Sequence, residues 1–300
     1  MSLEVLATGP LCTVQDLGRP ALAGLGVTRS GAADRASLRL ANRLLGNDEA
    51  AAALEVTLGG LRLRAVTPVV VAVTGAPCPG APVDGVVRLE PGQVLALGTP
   101  TSGVRTYVAV AGGLAVRPVL GSRSTDTLAG LGPPVVAAGA VLPTGDPAAL
   151  PDVEVAPRPV PAADDVLLHV HRGPRLDRLD DAAWDALTGT AWTVAADSDR
   201  VGVRLDGAAL RAREGVGELA SEGLLRGAVQ VPPSGRPVVF LADHPVTGGY
   251  PVVAYVDDAE PGPWRAGTDV DRLAQVRPGQ VVRLAAVTPT PPAPHGAGRR

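Results

Sequence analysis

The sequence contains no lysine, and all 27 of its basic residues are arginine. Without a lysine ε-amino group the chain cannot form a Schiff base or complete a G-x-x-x-x-G-K-[ST] phosphate loop. For the same reason it cannot carry covalently attached biotin or lipoate. Any swinging cofactor arm must therefore belong to another polypeptide.

Aromatic residues are also scarce, with three Trp, three Tyr and one Phe in 300 residues. Proteins that bind single-stranded nucleic acids stack bases on aromatic side chains and hold the phosphates with basic surfaces. The few aromatic residues and the formal net charge of −3 supply neither. We therefore expect no nucleic-acid partner.

Cysteines and long apolar runs are few or absent. Cys12 and Cys78 are too few for a disulfide framework or a four-ligand zinc site. No stretch approaches the roughly 20 apolar residues that span a bilayer. The N-terminus has neither the basic start nor the unbroken apolar core of a signal peptide. We expect a cytoplasmic protein with two reduced cysteines and no membrane partner.

Glycine and proline are abundant instead, at 37 and 30 residues, and they separate short runs rich in Val and Leu. This pattern predicts a mainly β protein with many short strands and a few short helices. A Pro/Ala-rich segment over 147–164 divides the chain. We predict one domain over residues 1–150, including the N-terminal helices, a second over 165–287, and a disordered tail over 288–300.

Three segments show helical rather than strand-like patterns. In the first, Ser30 or Asp34 caps a helix with a single apolar stripe that ends at Gly46. A second short helix is predicted over 48–55, and a third, amphipathic helix over 180–189.

Two histidines, His169 and His171, alternate along a predicted strand, a spacing that would place both imidazoles on one face. Asp177, Asp180 and Asp181 follow, but the pattern supplies no adjacent third ligand. We expect a solvated edge strand here and no resident metal.

The turn containing Asp197, Asp199 and Arg200 groups two carboxylates with a guanidinium. Such a turn could hold a polar ligand or a metal-bound phosphate, or it could be an Asx-turn with a local ion pair. The sequence leaves both interpretations open.

Three further segments combine polar side chains with glycine or with a helix N-terminus. Glycine lets backbone N–H groups approach an anion, and a helix N-terminus near an arginine favours a bound carboxylate or phosphate. Capping alone would also explain Ser30 and Asp34. The candidate ligand-binding residues are Gln15, Asp16, Arg19, Ser30 and Asp34 before the first helix, Ser221, Glu222 and Gln230 in 220–237, and Asp243, Thr247, Gly248, Gly249 and Tyr250 in 242–251.

Taken together, the ordered motifs of the chain resemble one family. They include "TVQDLGRP", "SGAADRASLRLANRLLGN", "VLGSRST", "DSDRVGVRLDG", "SEGLLRGAVQVPPSGRPVV" and "ADHPVTGGYPVV". The sequence is similar over about residues 3–287 to the biotin-dependent carboxyltransferase family, which includes the C subunit of 5-oxoprolinase, the kinase-inhibitor antagonist protein A and the second subunit of allophanate hydrolase.

The resemblance implies two β-barrel-like subdomains, the carboxyltransferase subdomains A and B, which are cyclophilin-like. It implies one partner that resembles the B subunit of 5-oxoprolinase and supplies subdomains C and D, and another that resembles the A subunit. The leading function is that of the C subunit of an ATP-dependent 5-oxoprolinase, a hydrolase that opens 5-oxo-L-proline to L-glutamate with ATP and Mg²⁺. Little activity is expected from the chain alone.

Two alternatives remain open. One is a subunit of a urea- or allophanate-type carboxyltransferase, with biotin on a separate carrier protein. The other is a regulatory binder of a histidine-kinase inhibitor.

The resemblance also implies a set of site residues. The catalytic residues would be Asp197, Asp199, Arg200 and Glu222. The ligand-binding residues would be those of the three polar segments, joined by Arg123 and Ser124; Asn42, Glu55 and Ser122 also match family motifs without an assigned role. The chain departs from the family pattern at "DHPVTGGYP", where many relatives have "DRQTTGGYP", and at "VHRGPR", where they have "LPGPQ". If substrate contacts lie at these positions, the substrate would differ from that of the relatives.

Overall fold

The computed structural model describes residues 2–147, 149–152, 155–157, 165–259 and 267–287. The predicted tail and much of the predicted junction between the halves lie outside the described residues. None of the helices in these ranges is long and apolar enough to cross a membrane.

The first half contains two antiparallel sheets. The five-stranded sheet has the order β2-β3-β8-β5-β6, and the four-stranded sheet has the order β7-β4-β1-β9. Their strands are β1 (Ser2–Thr8), β2 (Leu11–Gln15), β3 (Ala53–Thr57), β4 (Leu61–Ala65), β5 (Val69–Gly75), β6 (Gly85–Leu89), β7 (Val94–Ala96), β8 (Arg105–Val110) and β9 (Val141–Pro143).

The two sheets enclose a shared apolar core, and the strand sequences explain why. In β4 the apolar Leu61, Leu63 and Ala65 are buried while the intervening arginines are exposed, which is the alternation of a strand with one face in the core. All six residues of β8 are buried. This strand is apolar on both faces because the other sheet covers one face and a helix covers the other.

That helix is α1, over Arg35–Leu44. Asp34 is its N-cap and accepts a hydrogen bond from the Ser37 backbone N–H. Of the two caps that the sequence predicted, Ser30 and Asp34, the structure thus uses Asp34. The buried stripe of Leu38, Ala41, Leu44 and the following Leu45 packs on the five-stranded sheet. The sequence therefore predicted the position and the buried face of this helix correctly.

The second half forms a closed barrel with the order β10-β17-β14-β15-β12-β11-β18. A separate ribbon pairs β13 with β16. The elements are β10 (Val166–Arg172), α2 (Ala183–Gly189), β11 (Ala191–Val194), β12 (Gly202–Asp206), β13 (Glu222–Gly223), β14 (Ala228–Gln230), β15 (Val238–Phe240), β16 (Thr247–Gly248), β17 (Val252–Val256), α3 (Asp269–Leu273) and β18 (Val281–Ala286), with short 3-10 helices at Ala23–Leu25 and Leu176–Arg178.

The barrel core is filled by alternate side chains of its strands, including Leu168 and Val170 of β10 and Trp192 of β11. The Trp192 indole N–H donates to the Leu187 carbonyl at 2.9 Å, so the largest buried side chain is also satisfied. The mainly β fold with a few short helices is confirmed. Closure among the described strands occurs in the second half.

Two local predictions are wrong. Residues 48–55 do not form a second helix, because β3 begins at Ala53 and pairs with β2 and β8. The Asn42 side chain donates to the Ala51 carbonyl at 2.8 Å, which holds the preceding segment as a loop. The strand of His169 is not an edge strand, since β10 pairs with both β17 and β18. His169 is nevertheless exposed on the outer barrel face, where its Nδ1 lies 2.9 Å from Asp269 Oδ2.

Candidate functional site at the seam between the halves

Arg200 joins the two halves of the molecule through a buried ion-pair cluster. Its Nε and Nη2 lie 2.9 and 3.0 Å from the two carboxylate oxygens of Asp243, after β15. Nη1 donates to Glu55 Oε1 on β3, and Nη2 donates to the Gly31 carbonyl at 2.7 Å. The Arg200 side chain is only 2% exposed. One guanidinium therefore fixes a strand of the first half against a loop of the second.

Glu55 carries a second set of contacts on the other side of its carboxylate. Its Oε2 accepts from the Tyr107 hydroxyl at 2.7 Å and from the Ala33 backbone N–H at 2.9 Å. Arg105 Nε lies 3.6 Å from Oε1. Arg105 also donates to the carbonyl groups of Ala274 and Asp199 in the second half. Arg105 is thus a second link between the two halves, in addition to Arg200.

The electrostatics of the cluster favour the ionised forms. Burial alone would raise the pKa of Glu55, but Arg200 and Arg105 hold that pKa below its ordinary value. Burial is likewise outweighed at Asp243, where the Arg200 charge and its hydrogen bonds lower the carboxyl pKa. Burial raises the pKa of the Tyr107 hydroxyl, and the Glu55 charge raises it further. Tyr107 is therefore a neutral hydrogen-bond donor near neutral pH.

Ser30 and Thr127 complete the shell of Asp243. The Ser30 hydroxyl donates to Oδ1 at 2.7 Å, and the Thr127 hydroxyl and backbone N–H donate to Oδ2 at 2.7 and 2.9 Å. Ser30 has a left-handed backbone conformation, with a φ of 54°. These contacts bring the predicted ligand residues Ser30 and Asp243 together, from segments more than 200 positions apart.

A second polar cluster lies around Asp16. Its Oδ1 accepts from the hydroxyls of Ser122 and Ser124 at 2.7 and 2.6 Å, and its Oδ2 accepts from the Arg123 backbone N–H at 2.6 Å. The Arg123 guanidinium Nε donates to the Val116 carbonyl at 2.8 Å. The predicted residues Asp16, Arg123 and Ser124 thus lie together, in contacts that fasten the loop after β2 to the loop around residue 123.

Arg19 and Gln15 flank this second cluster and keep unused hydrogen-bonding atoms. Arg19 donates to the carbonyl groups of Val119 and Ser124 at 3.1 and 2.5 Å. Its Nη1, the Gln15 Oε1 and the Thr125 Oγ1 are buried and have no partner among the described residues. Buried polar atoms are rarely left unpaired, so water or polar ligand atoms are needed here. These atoms are the strongest sign of a binding function around Gln15 and Arg19.

The predicted residues of 220–251 form a separate group at the ribbon. Glu222 of β13 receives a bidentate ion pair from Arg175, whose Nε lies 2.9 Å from each carboxylate oxygen. Gln230 Nε2 donates to the Tyr250 carbonyl at 2.8 Å. Ser221, Thr247, Gly249 and Tyr250 are exposed, and Gly248 is half-buried in β16. Within the described ranges no hydrogen bond or ion pair joins the residues 221–223 or 247–250 to the Arg200 cluster.

The 197–200 turn contains an Asx-turn at Asp199. Asp199 Oδ1 accepts from the backbone N–H groups of Val201 and Gly202 at 2.8 and 3.2 Å, which is an Asx-turn. The Asp197 side chain is 72% exposed, and its Oδ2 lies 3.1 Å from Arg204 Nε. Arg200 is enclosed and bonded through all three guanidinium nitrogens, so in this structure it positions other residues and leaves no nitrogen for a substrate. Arg200 thus positions Glu55 and Asp243 in this structure, and its catalytic role stays a prediction.

Several residues of the seam were not recognised from the sequence. Tyr107, Arg105 and Gln275 had no assigned role, although Gln275 accepts from the backbone N–H groups of Val104 and Arg105 at 2.9 and 2.8 Å. Its Nε2 donates to Asp34 Oδ2 at 2.7 Å. One signal was present: Glu55 is the lone charged residue in the strand "ALEVT". A carboxylate in an apolar strand requires a buried partner.

Asp34 gives the seam a testable pH dependence. Burial, and then the charge of Asp271, raise the pKa of the Asp34 carboxyl from 3.8 to about 6. Because the folded state then binds this proton more tightly than the unfolded state, the contribution of Asp34 to stability falls as the pH rises from about 4 to 6. We expect Asp34→Asn, which keeps a capping side chain, to remove that part of the slope.

The measurement is urea unfolding of both proteins between pH 4 and pH 7. Glu55 and Asp243 act in the opposite sense, since their lowered pKa values make stability fall as the pH drops below their ordinary range. The difference between the two proteins isolates Asp34. Identical slopes would refute the assignment.

Comparison with known proteins places the chain in a family. The family model for the carboxyltransferase domain, subdomain A and B, matches residues 25–286. The chain belongs to this family. The matched region of this carboxyltransferase-domain protein includes elements of both halves.

Two curated relatives match this family member over nearly their whole length. It is 39% identical to the 5-oxoprolinase C subunit of Escherichia coli over 295 residues, covering 94% of this chain and 90% of that protein. It is 34% identical to the 5-oxoprolinase C subunit of Haemophilus influenzae, covering 95% of this chain and 91% of that protein.

Solved structures of longer chains are also similar. TTHA0988 superimposes with a TM-score of 0.82 at 36% identity, over 95% of this chain and 55% of that chain. The urea amidolyase of K. lactis superimposes with a TM-score of 0.86 at 28% identity, over 96% of this chain and 19% of that chain. The present chain thus spans about half of the first protein and less than a fifth of the second.

Proposed function

We propose that this protein is the C subunit of a 5-oxoprolinase and acts with partners that resemble the A and B subunits to hydrolyse 5-oxo-L-proline to L-glutamate. The observation that carries the proposal is the match to two proteins named as the C subunit of 5-oxoprolinase, along at least nine-tenths of each protein. By contrast, the named urea amidolyases match only through a small part of their length, 17% in one case.

The chemistry of the reaction fits a chain that contributes only part of a site. A lactam is a poor electrophile, and phosphorylation of its oxygen by ATP would make the carbonyl carbon open to attack by water. The developing negative charge needs donors that are already in place. In a chain without lysine these donors are arginine side chains, hydroxyl groups and backbone N–H groups.

Arg19 and Gln15 are the residues we assign to ligand contact. The Arg19 Nη1 is a buried donor and the Gln15 Oε1 a buried acceptor, and both lack partners among the described residues. A donor and an acceptor that are both unused suit a lactam or carboxylate group and the polar atoms of a nucleotide. These unused hydrogen-bonding atoms are the reason for assigning Arg19 and Gln15 to contact with MgATP or 5-oxoproline.

Mg²⁺ bound to ATP needs only one or two protein carboxylates, because phosphates and water supply the other ligands. Among the described residues no group of three His, Cys, Asp or Glu side chains could hold a metal ion alone. We assign the exposed Asp197 as a carboxylate that could face the nucleotide or a partner protein. Glu222 is engaged by Arg175, so a catalytic role for it would require that pair to open.

The test is reconstitution from separately purified proteins. The chain mixed with its B-like and A-like partners, ATP, Mg²⁺ and 5-oxo-L-proline is expected to release glutamate, and omission of the chain is expected to abolish release. In the same assay Asp197→Ala should abolish turnover without affecting stability, with Asp165→Ala, another carboxylate in an exposed pair, as the control. A complete complex without ATP-dependent glutamate release would contradict the proposed function.

Carboxyl transfer is the second candidate, and the similarity to the urea amidolyase structure favours it. Biotin would then be carried by a separate protein, since the chain has no lysine. Carboxybiotin-dependent carboxylation of urea by the same complex, in place of glutamate release, would support this candidate. A third possibility, regulation through binding of a kinase inhibitor, predicts a tight but inactive complex.

A further inference from the structure

Arg35 and Arg226 lie next to each other where α1 meets the barrel. Arg226 donates to Asp258 Oδ1, and its Nη2 donates to Asp271 Oδ1 at 2.6 Å. The Arg35 Nη1 lies 3.7 Å from the other oxygen of Asp258, and the Arg35 backbone N–H donates to Asp271 Oδ1 at 2.9 Å. The two guanidinium groups thus share one pair of carboxylates.

The Arg35 guanidinium nevertheless donates no hydrogen bond to the part of the chain that the structure describes. Its side chain is only 12% exposed, and its Nε is buried without a hydrogen-bond partner among the described residues. The Nε of Arg226, whose side chain is 5% exposed, also lacks a partner. Two buried arginines with unused donors side by side require an acceptor that the described part of the chain does not supply.

The two arginines differ electrostatically. Burial would lower the pKa of Arg226, but Asp271 and Asp258 outweigh it and raise that pKa, whereas the Arg35 cation is less well stabilised and would gain from a negative ligand. Burial, and then the charges of Arg226 and Arg29, lower the pKa of Arg35 to about 10 despite the opposing effect of Asp258 and Asp271.

We infer that Arg35, with Arg226, forms a binding site for an oxyanion, either a carboxylate or a phosphate group. A guanidinium can bind such a group through two parallel hydrogen bonds, from Nε and one Nη, and the Nε of Arg35 has no partner among the described residues. The side chains of Arg35 and Asp258 are 12% and 25% exposed, so solvent reaches this pair. The identification of the ligand as 5-oxoproline or ATP rests on the proposed function, but the site itself does not.

The inference can be tested by calorimetry on the full-length chain without partners, because this chain supplies all of the residues. The probes are inorganic phosphate, ATP, 5-oxo-L-proline and 2-pyrrolidinone, which has the same lactam ring without the carboxylate. At least one oxyanion is expected to bind, and 2-pyrrolidinone is not. Binding of 5-oxo-L-proline alone would identify the carboxylate as the ligand group, and binding of phosphate and ATP would identify a phosphate group.

Arg35→Gln is expected to weaken oxyanion binding at least about tenfold, a loss typical of charge-assisted hydrogen bonds. Arg43→Gln on the same helix is the matched control, because Arg43 is exposed and pairs with Glu49. Arg35→Lys retains the charge but loses the paired donors, so it should bind with intermediate affinity and covers the case in which Arg35→Gln fails to fold.

Three outcomes would overturn the inference: no oxyanion binds, 2-pyrrolidinone binds as tightly as 5-oxo-L-proline, or Arg35→Lys and Arg43→Gln bind equally well. Because the assay requires no turnover, its result is separate from that of the reconstitution. An inactive complex whose chain still binds phosphate through Arg35 would refute the proposed function and leave this site in place.

Discussion

Arg200→Ala is expected to destabilise the protein by about 3–5 kcal/mol, the usual cost of removing one partner from a buried ion pair. The variant leaves the carboxylates of Glu55 and Asp243 buried without their shared cation. Both pKa values are lowered by Arg200 in the wild-type protein, so both groups would lose the interaction that keeps them ionised. Urea unfolding at pH 7 measures the loss.

Arg204→Ala is the matched control for this prediction. Arg204 is four positions away and also pairs with an aspartate, but its side chain is 52% exposed and that of Asp197 is 72% exposed. Exposed pairs of this kind contribute about 0–1 kcal/mol. If the two variants lost equal stability, the interpretation of Arg200 as a buried bridge between the halves would be wrong.

A second variant, Arg200→Lys, distinguishes a positioning role of Arg200 from a catalytic role. Arg200→Lys keeps the charge but cannot reproduce the bidentate contact with Asp243 together with the contact to Glu55. We therefore expect Arg200→Lys to be destabilised as well. If turnover falls, added ligand or a lower temperature that restores the folded state should restore turnover to the same extent. A residue that contacts substrate would lose turnover at full stability.

Gly132→Ala is the second substitution with a large expected effect. Gly132 has a φ of 94°, and an added Cβ would lie 2.0 Å from the Ser124 carbonyl oxygen and 2.6 Å from Arg19 Nη2. The backbone conformation costs about 1–2 kcal/mol for an L-residue, and the overpacking adds about 1–3 kcal/mol. The Ser124 carbonyl must move, and Arg19 must move with it. We expect both lower stability and loss of any ligand contact made by Arg19.

Gly130→Ala, two positions earlier in the same loop, controls for the backbone conformation. Its φ is 66°, but nothing lies within 4 Å of an added Cβ. Its cost should therefore be limited to about 1–2 kcal/mol. Urea unfolding of the two variants compares the costs, and equal losses would show that the close approach of Gly132 to Ser124 and Arg19 is not important.

The sequence determined the elements whose signals are local. The apolar stripe and the Asp34 cap of α1 and the two-residue alternation of β4 each depend on residues a few positions apart, and their periods are the periods of a helix and a strand. The absence of lysine limited the available chemistry in the same direct way. The ordered motifs indicated the family that the comparisons then showed.

Local signals failed where tertiary pairing competed with them. The segment 48–55 has helical composition, but β3 gains partners on both sides by starting at Ala53. The alternation of His169 and His171 led to the prediction of an edge strand, yet closure of the barrel gives this strand two neighbours. Strand pairing depends on residues far apart in the chain, and such pairs leave no mark on the periodicity of either segment.

The roles of the polar residues were decided by the tertiary structure alone. Arg200 and Asp199 lie side by side in the sequence, but one is an enclosed bridge and the other an Asx-turn acceptor. The sequence assigned no role to Arg35, the first residue of a helix. The fold buries its guanidinium beside Arg226 and leaves its Nε without an acceptor among the described residues. Whether a charge is paired, exposed or left with unused donors depends on what the other half of the chain brings to it, because desolvation and hydrogen bonding are set by neighbours in space.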